Sequence, residues 1–258
     1  LRIIIINIMQ KTTNTDILKI YDFHSHILPG LDHGCSDTAV AMEQIRRAVR
    51  AGVHCILATS HFYPHAESVD SFLRRRRLAW VQLQKELAGE EEIRAAGIQI
   101  VQGAEVLICK GLERMEGLEQ LCIDGTKVLL LEMPFTEIWD PELINTVTAL
   151  QDKCGLQVVL AHVERYRMSQ IMPLLEAGCL AQVNIGSLVG RWNRKRFRAQ
   201  QYLRHDRISA LGSDIHGIGD QYTDFTHIIK KHNKAVGMIM ERTQELLGER
   251  TDAHPKIP

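Results

Sequence analysis

Histidines and carboxylates close the apolar runs of this chain with a regularity that points to one shared site. Ile20-Tyr21-Asp22-Phe23 leads into His24-Ser25-His26, and the run from Val53 to Ser60 leads into His61. Ile98 to Ala104 reaches Glu105, and Val128 to Leu131 reaches Glu132. Leu156 to Ala161 ends on His162, and Ile208 to Ser213 ends on Asp214 with His216 just beyond. A seventh run, Cys179 to Val183, ends on Asn184 instead. Imidazole and carboxylate together are the ligand set of zinc, manganese and iron. Side chains alternate along a strand, so His24 and His26 face the same way while Ser25 points from them. Glu105 and Glu132 directly follow apolar runs, where an unpaired carboxylate is costly to bury. Cations shared among these groups remove that cost, whereas a purely structural role demands a separate partner for each. The expectation is a multinuclear metal site formed by His24, His26, His61, Glu105, Glu132, His162, Asp214 and His216.

Groups from six separate runs meet only if the C-terminal ends of those strands share a face, as they do in β/α barrels. The punctuation of the chain agrees. Ala51-Gly52-Val53, Cys154-Gly155-Leu156 and Ala177-Gly178-Cys179 each read as a helix end, a glycine suited to a left-handed cap, and a strand. Repeated, that pattern marks βα units and a mostly parallel sheet. The first helix is expected to begin with Ser36 as N-cap and Asp37 in its first turn, where the helix dipole favours a carboxylate. Further helices are expected over 70–88, 141–153, 169–177, 193–204 and 224–247, the last broken near Gly237. No linker or low-complexity tract interrupts the chain, so residues 20–258 read as a single domain preceded by a leader or edge segment over 1–19. The Ile-rich start is too short an apolar run for a signal peptide, is broken by Asn7, and lacks a small-residue cleavage site. Met9 is an alternative initiator.

A chain of 258 residues that is 45% hydrophobic can bury a large core. Lys+Arg and Asp+Glu both total 31, so no global charge draws it to nucleic acid or to a membrane surface. No stretch reaches the length of a membrane span. The six cysteines form no C-x-x-C pair, and several lie inside apolar runs, which reads as reduced thiols of a cytoplasmic protein.

The segments His24-Ser25-His26-Ile27-Leu28-Pro29-Gly30-Leu31-Asp32, Ala58-Thr59-Ser60-His61, Gly103-Ala104-Glu105, Leu131-Glu132, Ala161-His162-Val163-Glu164-Arg165-Tyr166 and Ser213-Asp214-Ile215-His216 together resemble the PHP (polymerase and histidinol phosphatase) superfamily. The L-P-G-x-D and A-H-x-E-R-Y segments are most similar to the manganese-dependent tyrosine phosphatases of bacterial capsule and exopolysaccharide loci. The resemblance holds in register from about residue 20 to 220. It implies a distorted seven-stranded β/α barrel of the TIM-like, PHP type, with two or three divalent ions: manganese, or else iron, zinc or magnesium. It also implies that His24, His26, Glu105 and Asp214 surround a first ion with Glu105 bridging. Glu132 and His162 would serve a second ion, His61 and His216 a third, and Arg165 would contact phosphoryl oxygens. Two positions depart from the pattern. Asp32-His33-Gly34 stands where the family reads Asp-Asp-Gly, which makes His33 the substitute ligand with one negative charge fewer. Gln221 stands where the family has a second arginine, and a glutamine makes no charge-assisted fork.

The function implied is hydrolysis of protein phosphotyrosine in the tail of a bacterial tyrosine kinase that controls exopolysaccharide synthesis. The alternatives are a phosphatase for histidinol phosphate or a nucleotide, or a regulator that lost turnover through His33 and Gln221. Divalent ions activate water and stabilise the in-line transition state. A phenolate with a pKa of about 10 leaves with little acid help, and His61 or His33 would protonate it. None of the six cysteines has the arginine of a C-x5-R thiol phosphatase. Arg74 to Arg77 and Arg191 to Arg198 read most simply as solvated helix faces. The sharper reading makes them a docking rim for an acidic phosphotyrosine tail, with Tyr63 and Trp139 lining a tyrosine pocket; nucleic acid is not expected as a partner.

Overall fold

The computed structural model describes residues 18–217 and 222–248. The leader expected over 1–19 therefore lies outside the described residues except for Leu18 and Lys19, and Gln221 lies outside them too. Within them the seven expected runs form nine strands, because two runs are each broken in two. In chain order these are β1 (Ile20–Ser25), β2 (Val53–Ala58), β3 (His61–Phe62), β4 (Gln99–Gln102), β5 (Glu105–Leu107), β6 (Val128–Glu132), β7 (Gln157–Leu160), β8 (Leu180–Asn184) and β9 (Ala210–Gly212). Every named pairing is parallel, in the orders β1-β2-β4 and β3-β5-β6-β7-β8-β9. The result is a mixed α/β architecture around a parallel sheet curled as a half-barrel. Hydrogen bonds from Asp214 N to His24 O (2.7 Å) and from His26 N to Ile215 O (3.2 Å) run between the segment after β9 and β1.

The two breaks have local causes, and both lie just before a candidate ligand. After β2, Thr59 turns its hydroxyl to accept from Ser25 N at 3.1 Å, and regular pairing resumes only at His61. After β4 comes Gly103, where a Cβ would lie 2.5 Å from Ile123 Cδ1. The Gly103 carbonyl accepts from the buried Arg76 guanidinium at 3.1 Å. Glu105 N then donates to both Thr59 O and Ser60 O at 3.1 Å, which ties one break to the other and sets His61 opposite Glu105. Arg76 is therefore a structural anchor, while Arg74, Arg75 and Arg77 lie on the solvated face expected for that run.

Helices cover the sheet, with cores such as Leu129, Leu130, Leu131, Val158, Val159 and Leu160 wholly buried between them. The first, Thr38–Arg50, is capped by Asp37, whose Oδ1 accepts from Val40 N, and Ser36 instead donates to Asp37. The carboxylate displaces the hydroxyl as cap because it is the stronger acceptor at the positive end of the dipole. Helices Val69–Ala88, Pro141–Asp152, Met168–Glu176, Arg194–Arg204 and Thr223–Leu247 fall where expected. The last is kinked at His232 (φ −133°), not at Gly237. Helices Glu91–Ala96 and Ile185–Val189 were not anticipated, since fewer than two turns carry little periodicity. The junction glycines Gly52, Gly155 and Gly178 take φ of +76°, +64° and +96°, as their caps require. No helix among the described residues is long and apolar enough to cross a membrane.

Candidate metal centre

The ends of β1, β3, β5, β6, β7 and β9 deliver their polar side chains to one buried point. Ser25 turns its hydroxyl to Leu57 O at 2.7 Å, and the flanking imidazoles meet on the other face with His24 Nε2 3.0 Å from His26 Nε2. Glu105, wholly buried, stands at the centre. Its Oε2 lies 3.1 Å from His24 Nε2, 3.3 Å from His26 Nε2 and 3.0 Å from His61 Nδ1. Its Oε1 lies 2.8 Å from His162 Nε2, which is in turn 3.4 Å from Glu132 Oε1. Asp214 Oδ1 lies 3.5 Å from His24 Nε2 and 3.3 Å from His26 Nε2. His24, His26, Glu105 and Asp214 form one group whose ligand atoms lie within 4.8 Å of one another; His26, His61 and His216 form a second, and His61, Glu105 and Glu132 a third.

Three residues with no role assigned from the sequence, Gln182, Asn184 and Asp32, orient these groups. Gln182 uses Oε1 to accept from His24 Nδ1 (3.1 Å) and from His162 N (2.7 Å), and its Nε2 donates to Asn184 Oδ1 (2.9 Å). Asn184 Nδ2 passes the chain on to Asp214 Oδ2 at 2.7 Å. Because the Gln182 amide nitrogen is committed to Asn184, its oxygen faces His24, so His24 carries its proton on Nδ1 and turns a bare Nε2 to the centre. Asp32 does the same for His26, accepting from Nδ1 at 2.8 Å, and it also accepts from His61 N and Gly34 N, both at 2.9 Å. His216 Nδ1 donates to Asp214 O at 2.9 Å. The only trace of the Gln182 and Asn184 pair in the sequence is two amides two positions apart on an otherwise apolar strand, which places both on one face. Asp22 is a fourth omission. It accepts from Ser213 N and Oγ, both at 2.7 Å, and from Tyr222 Oη at 2.8 Å, and burial pushes its pKa up to about 6.

The backbone is strained where it serves this site. His162 (φ +35°) and Asp214 (φ +52°) are two of three non-glycine residues in the left-handed region among the described residues. Such conformations persist only where the surroundings hold them, here through His162 N to Gln182 and Asp214 N to His24 O. Gly212 permits the approach of β9, since a Cβ there would lie 2.5 Å from His24 Cβ.

The donor set suits divalent cations. His24 Nε2 and His26 Nε2 both present lone pairs to each other and to two carboxylates, an arrangement that repels itself without positive charge inside. His61 Nδ1 lies 3.0 Å from Glu105 Oε2 yet makes no hydrogen bond of proper geometry with it, as expected of two acceptors aimed at a common point. With protons alone in the site, burial disfavours the imidazolium of His26, but Asp214, Asp32 and Glu105 outweigh it and hold its pKa well above the usual range. The same contest leaves His162 at about 9, through Glu105 and Glu132. Burial likewise opposes the Glu105 charge, yet His24, His162 and His26 keep its carboxyl well below the ordinary range. Protons occupy positions that a doubly charged ion fills better.

Above the cluster opens a cavity of about 670 Å³, lined by His33, Tyr63, Glu132, Phe135, Arg165 and His216 among others. Arg165 Nη2 is paired with Asp214 Oδ2, and its guanidinium lies 5.7 Å from the centre of the Phe135 ring. His33 is exposed at the rim, stacked 4.6 Å from His61 and 4.7 Å from His216, and it belongs to none of the three ligand groups. Tyr63 stacks on His61 at 5.1 Å. Trp139 does not line the cavity: it is buried, donates from Nε1 to Pro134 O at 3.0 Å, and packs under the loop that carries Phe135. Phe135, which the sequence reading did not single out, is 63% exposed and stacks on both His162 and Tyr166. A larger hollow of about 810 Å³, against Lys19, His54 and Met240, contains none of the cluster.

Known proteins resemble this chain in sequence and fold. The chain is 29% identical over 204 residues to the tyrosine-protein phosphatase YwqE of Bacillus subtilis, covering 76% of this chain and 77% of that protein. It is 25% identical over 209 residues to the tyrosine-protein phosphatase CpsB of Streptococcus agalactiae, covering 76% and 83%. A crystal structure from work on YwqE of Bacillus subtilis and CpsB of Streptococcus pneumoniae, described as unique metal-dependent tyrosine phosphatases, superposes with a TM-score of 0.75 at 28% identity, over 88% of this chain and 94% of that one. The sequence profile for capsular polysaccharide synthesis, CpsB/CapC, matches residues 20–249, a span that holds every group of the cluster, and the chain belongs to that family.

Proposed function

We propose that this protein is a metal-dependent phosphatase that hydrolyses phosphotyrosine on a protein, the substrate being the tail of a bacterial tyrosine kinase in capsule or exopolysaccharide synthesis. The observation that carries the reading is the convergence of His24, His26, His61, His162, Glu105 and Asp214 beneath a cavity walled by Tyr63 and Phe135. We assign two or three divalent ions to the cluster, manganese first. His24, His26, Glu105 and Asp214 would hold one, Glu132 and His162 with Glu105 a second, and His61 and His216 a third. Bound there, such ions activate water and offset charge on the phosphoryl oxygens. We further read the curled sheet as a distorted seven-stranded barrel closed through the Asp214–His24 and His26–Ile215 hydrogen bonds, and residues 20–258 as one domain acting in the cytoplasm. The six free cysteines suit that compartment.

The side chains divide the remaining work. Arg165, at the mouth beside Asp214, orients the phosphoryl group and stabilises charge on its equatorial oxygens. Phe135 and Tyr63, which line the cavity, would supply aromatic contacts to an entering aryl group. His61 belongs to the ligand groups of the cluster, whereas His33 lies at the rim outside them, so His33 is the better placed of the two imidazoles to assist the departing phenolate. Burial, with His61 next to it, lowers the His33 pKa, so it assists by donating a hydrogen bond from a neutral ring. A phenolate with a pKa of about 10 requires no more.

The test is turnover of phosphotyrosyl peptide, phosphoseryl peptide, histidinol phosphate and a nucleotide by protein loaded with manganese and by chelated protein. Phosphotyrosyl peptide is expected to be the preferred substrate, with loss of turnover on chelation and in Glu105→Gln. Arg165→Ala should lower kcat by about a hundredfold or more. Better turnover of histidinol phosphate or the nucleotide would refute the tyrosine assignment, and unimpaired turnover after chelation would refute the metal mechanism.

A further inference from the structure

One surface next to the centre carries a concentration of positive charge without nearby carboxylates in the sequence. No Asp or Glu occurs between Glu176 and Asp206, while Arg191, Arg194, Lys195, Arg196 and Arg198 all fall in that stretch of a chain whose charges otherwise balance. Several arginines elsewhere are neutralised locally: Arg46 by Glu90, Arg75 by Glu67, Arg167 by Glu137 and Arg242 by Asp206. Among the described residues no carboxylate pairs with any of the five cations from Arg191 to Arg198. Two large apolar side chains accompany them. Trp192 is 66% exposed and Phe197 48%, their rings edge to face at 6.2 Å. Exposed aromatics beside arginine are the composition of a binding surface.

The surface is preformed and joined to the catalytic rim. Asn193 caps helix Arg194–Arg204 by accepting from Arg196 N at 3.0 Å, and the Arg196 side chain is anchored on Gly190 O. Arg198 Nη1 donates to Arg165 O at 3.1 Å and to Glu164 O at 3.4 Å, so the basic helix holds the turn that presents Arg165. The basic helix therefore adjoins the segment whose Arg165 side chain lines the cavity.

Taking the phosphatase reading as its basis, we propose that Arg191, Trp192, Arg194, Lys195 and Phe197 form a docking surface for an acidic segment of the substrate protein, beside the phosphotyrosine that enters the metal centre. Charge complementarity selects an acidic partner, and continuity with Arg165 selects one that also carries the reacting group. A single-stranded nucleic acid fits less well, since stacking of successive bases requires free ring faces, whereas the Arg196 guanidinium lies 5.6 Å from the Trp192 ring centre and Phe197 meets that ring edge to face.

The experiment uses the manganese-loaded full chain and two phosphotyrosyl peptides of identical core, one flanked by Asp and Glu and the other by Asn and Gln, with p-nitrophenyl phosphate as a substrate lacking flanks. The acidic peptide should be favoured about tenfold or more in kcat/KM, with the preference shrinking as salt rises, because rim charges act mainly through steering. The double variant Arg194→Glu, Lys195→Glu should abolish the preference, and Trp192→Ala should weaken acidic-peptide binding by fluorescence anisotropy; both should leave p-nitrophenyl phosphate turnover unchanged. Equal use of the two peptides by the unaltered protein, or a preference that survives the double variant, overturns the docking surface and leaves the phosphatase reading standing. Absence of turnover on every aryl phosphate overturns that reading instead, and anisotropy then decides the docking surface: it fails if the acidic peptide binds no more tightly than the neutral one. Tighter binding of a single-stranded oligonucleotide or of phosphatidylserine vesicles, or self-association lost in Trp192→Ala, assigns the patch to another occupant and also overturns it.

Discussion

Gln182 shows how much the candidate metal site depends on residues outside its ligand groups. One amide oxygen fixes the His24 tautomer and holds the His162 backbone in its left-handed conformation, and the amide nitrogen aligns Asn184 with Asp214. Leucine at this position preserves the bulk and removes all of these bonds. Gln182→Leu is expected to weaken metal binding by roughly ten- to a hundredfold, the usual effect of deleting an orienting partner. Titration of the metal-free protein against a competing chelator measures this, with circular dichroism reporting the fold. Unchanged affinity in a folded variant would show that the imidazoles are oriented by packing alone. Asp32 has the parallel role for His26 and His61, so the aspartate ahead of His33 is put to use even where the second acidic residue of the motif is replaced.

Among the elements, the interruptions matter as much as the strands. Had β2 run unbroken into β3, the alternation of side chains alone would decide where His61 points; the pause at Thr59 and Ser60, stitched to Glu105 N, sets it facing Glu105 instead. The loop after β6 adds the aromatic wall. Trp139 and Tyr166 are packed edge to face below it, and Tyr166 Oη donates to Met133 O at 2.7 Å. This support lets Phe135 remain 63% exposed over the cavity while stacked on Tyr166 at 5.6 Å. An aromatic contact is worth about 0.5–1.5 kcal/mol beyond simple burial. Phe135→Ala should therefore raise KM for phosphotyrosyl peptide by roughly three- to tenfold. An alkyl phosphomonoester should be affected little. Equal losses on aryl and alkyl substrates would remove Phe135 from the substrate-binding wall.

For the molecule as a whole, filling the centre should couple to stability and to pH. Binding at a hundred times Kd adds about 2.7 kcal/mol, and in a chain of this size that corresponds to a rise of roughly 5–10 °C in Tm. The sign of the pH effect follows from the raised imidazole pKa values. In metal-free protein a His whose folded pKa exceeds its unfolded value contributes stability that is complete below about 6.5 and is lost as pH rises through the folded value, about 9 for His162. Metal must displace the protons that His26 and His162 hold, so its affinity grows over the same range. Both effects widen the gap between loaded and chelated protein as pH rises. Calorimetry at pH 6.5 and 8.5 should give a clearly larger Tm difference at the higher pH; an equal or smaller one would show that these two imidazoles do not surrender protons to the ion.

The sequence by itself was enough to locate the strand ends and the polar residue that closes each, because buried strands must be apolar and a histidine or carboxylate at their ends stands out against that background. It was enough, too, for the parallel βα pattern, which the junction glycines announce through their need for positive φ. What only the tertiary structure decided is how those ends face one another. That Glu105 is central depends on the two strand breaks and on a buried arginine 29 positions earlier reaching Gly103 O, whose pairing no local pattern encodes. The roles of Gln182, Asn184 and Asp22 were illegible because buried polar residues acquire a role only from partners distant in sequence, such as Asp214 for Asn184 and Ser213 and Tyr222 for Asp22. The exposure of Phe135 and the burial of Trp139, neighbours in one loop, were likewise settled by tertiary packing: only one of the two rings could occupy the space against Tyr166 edge-on, and the other was left to face the cavity.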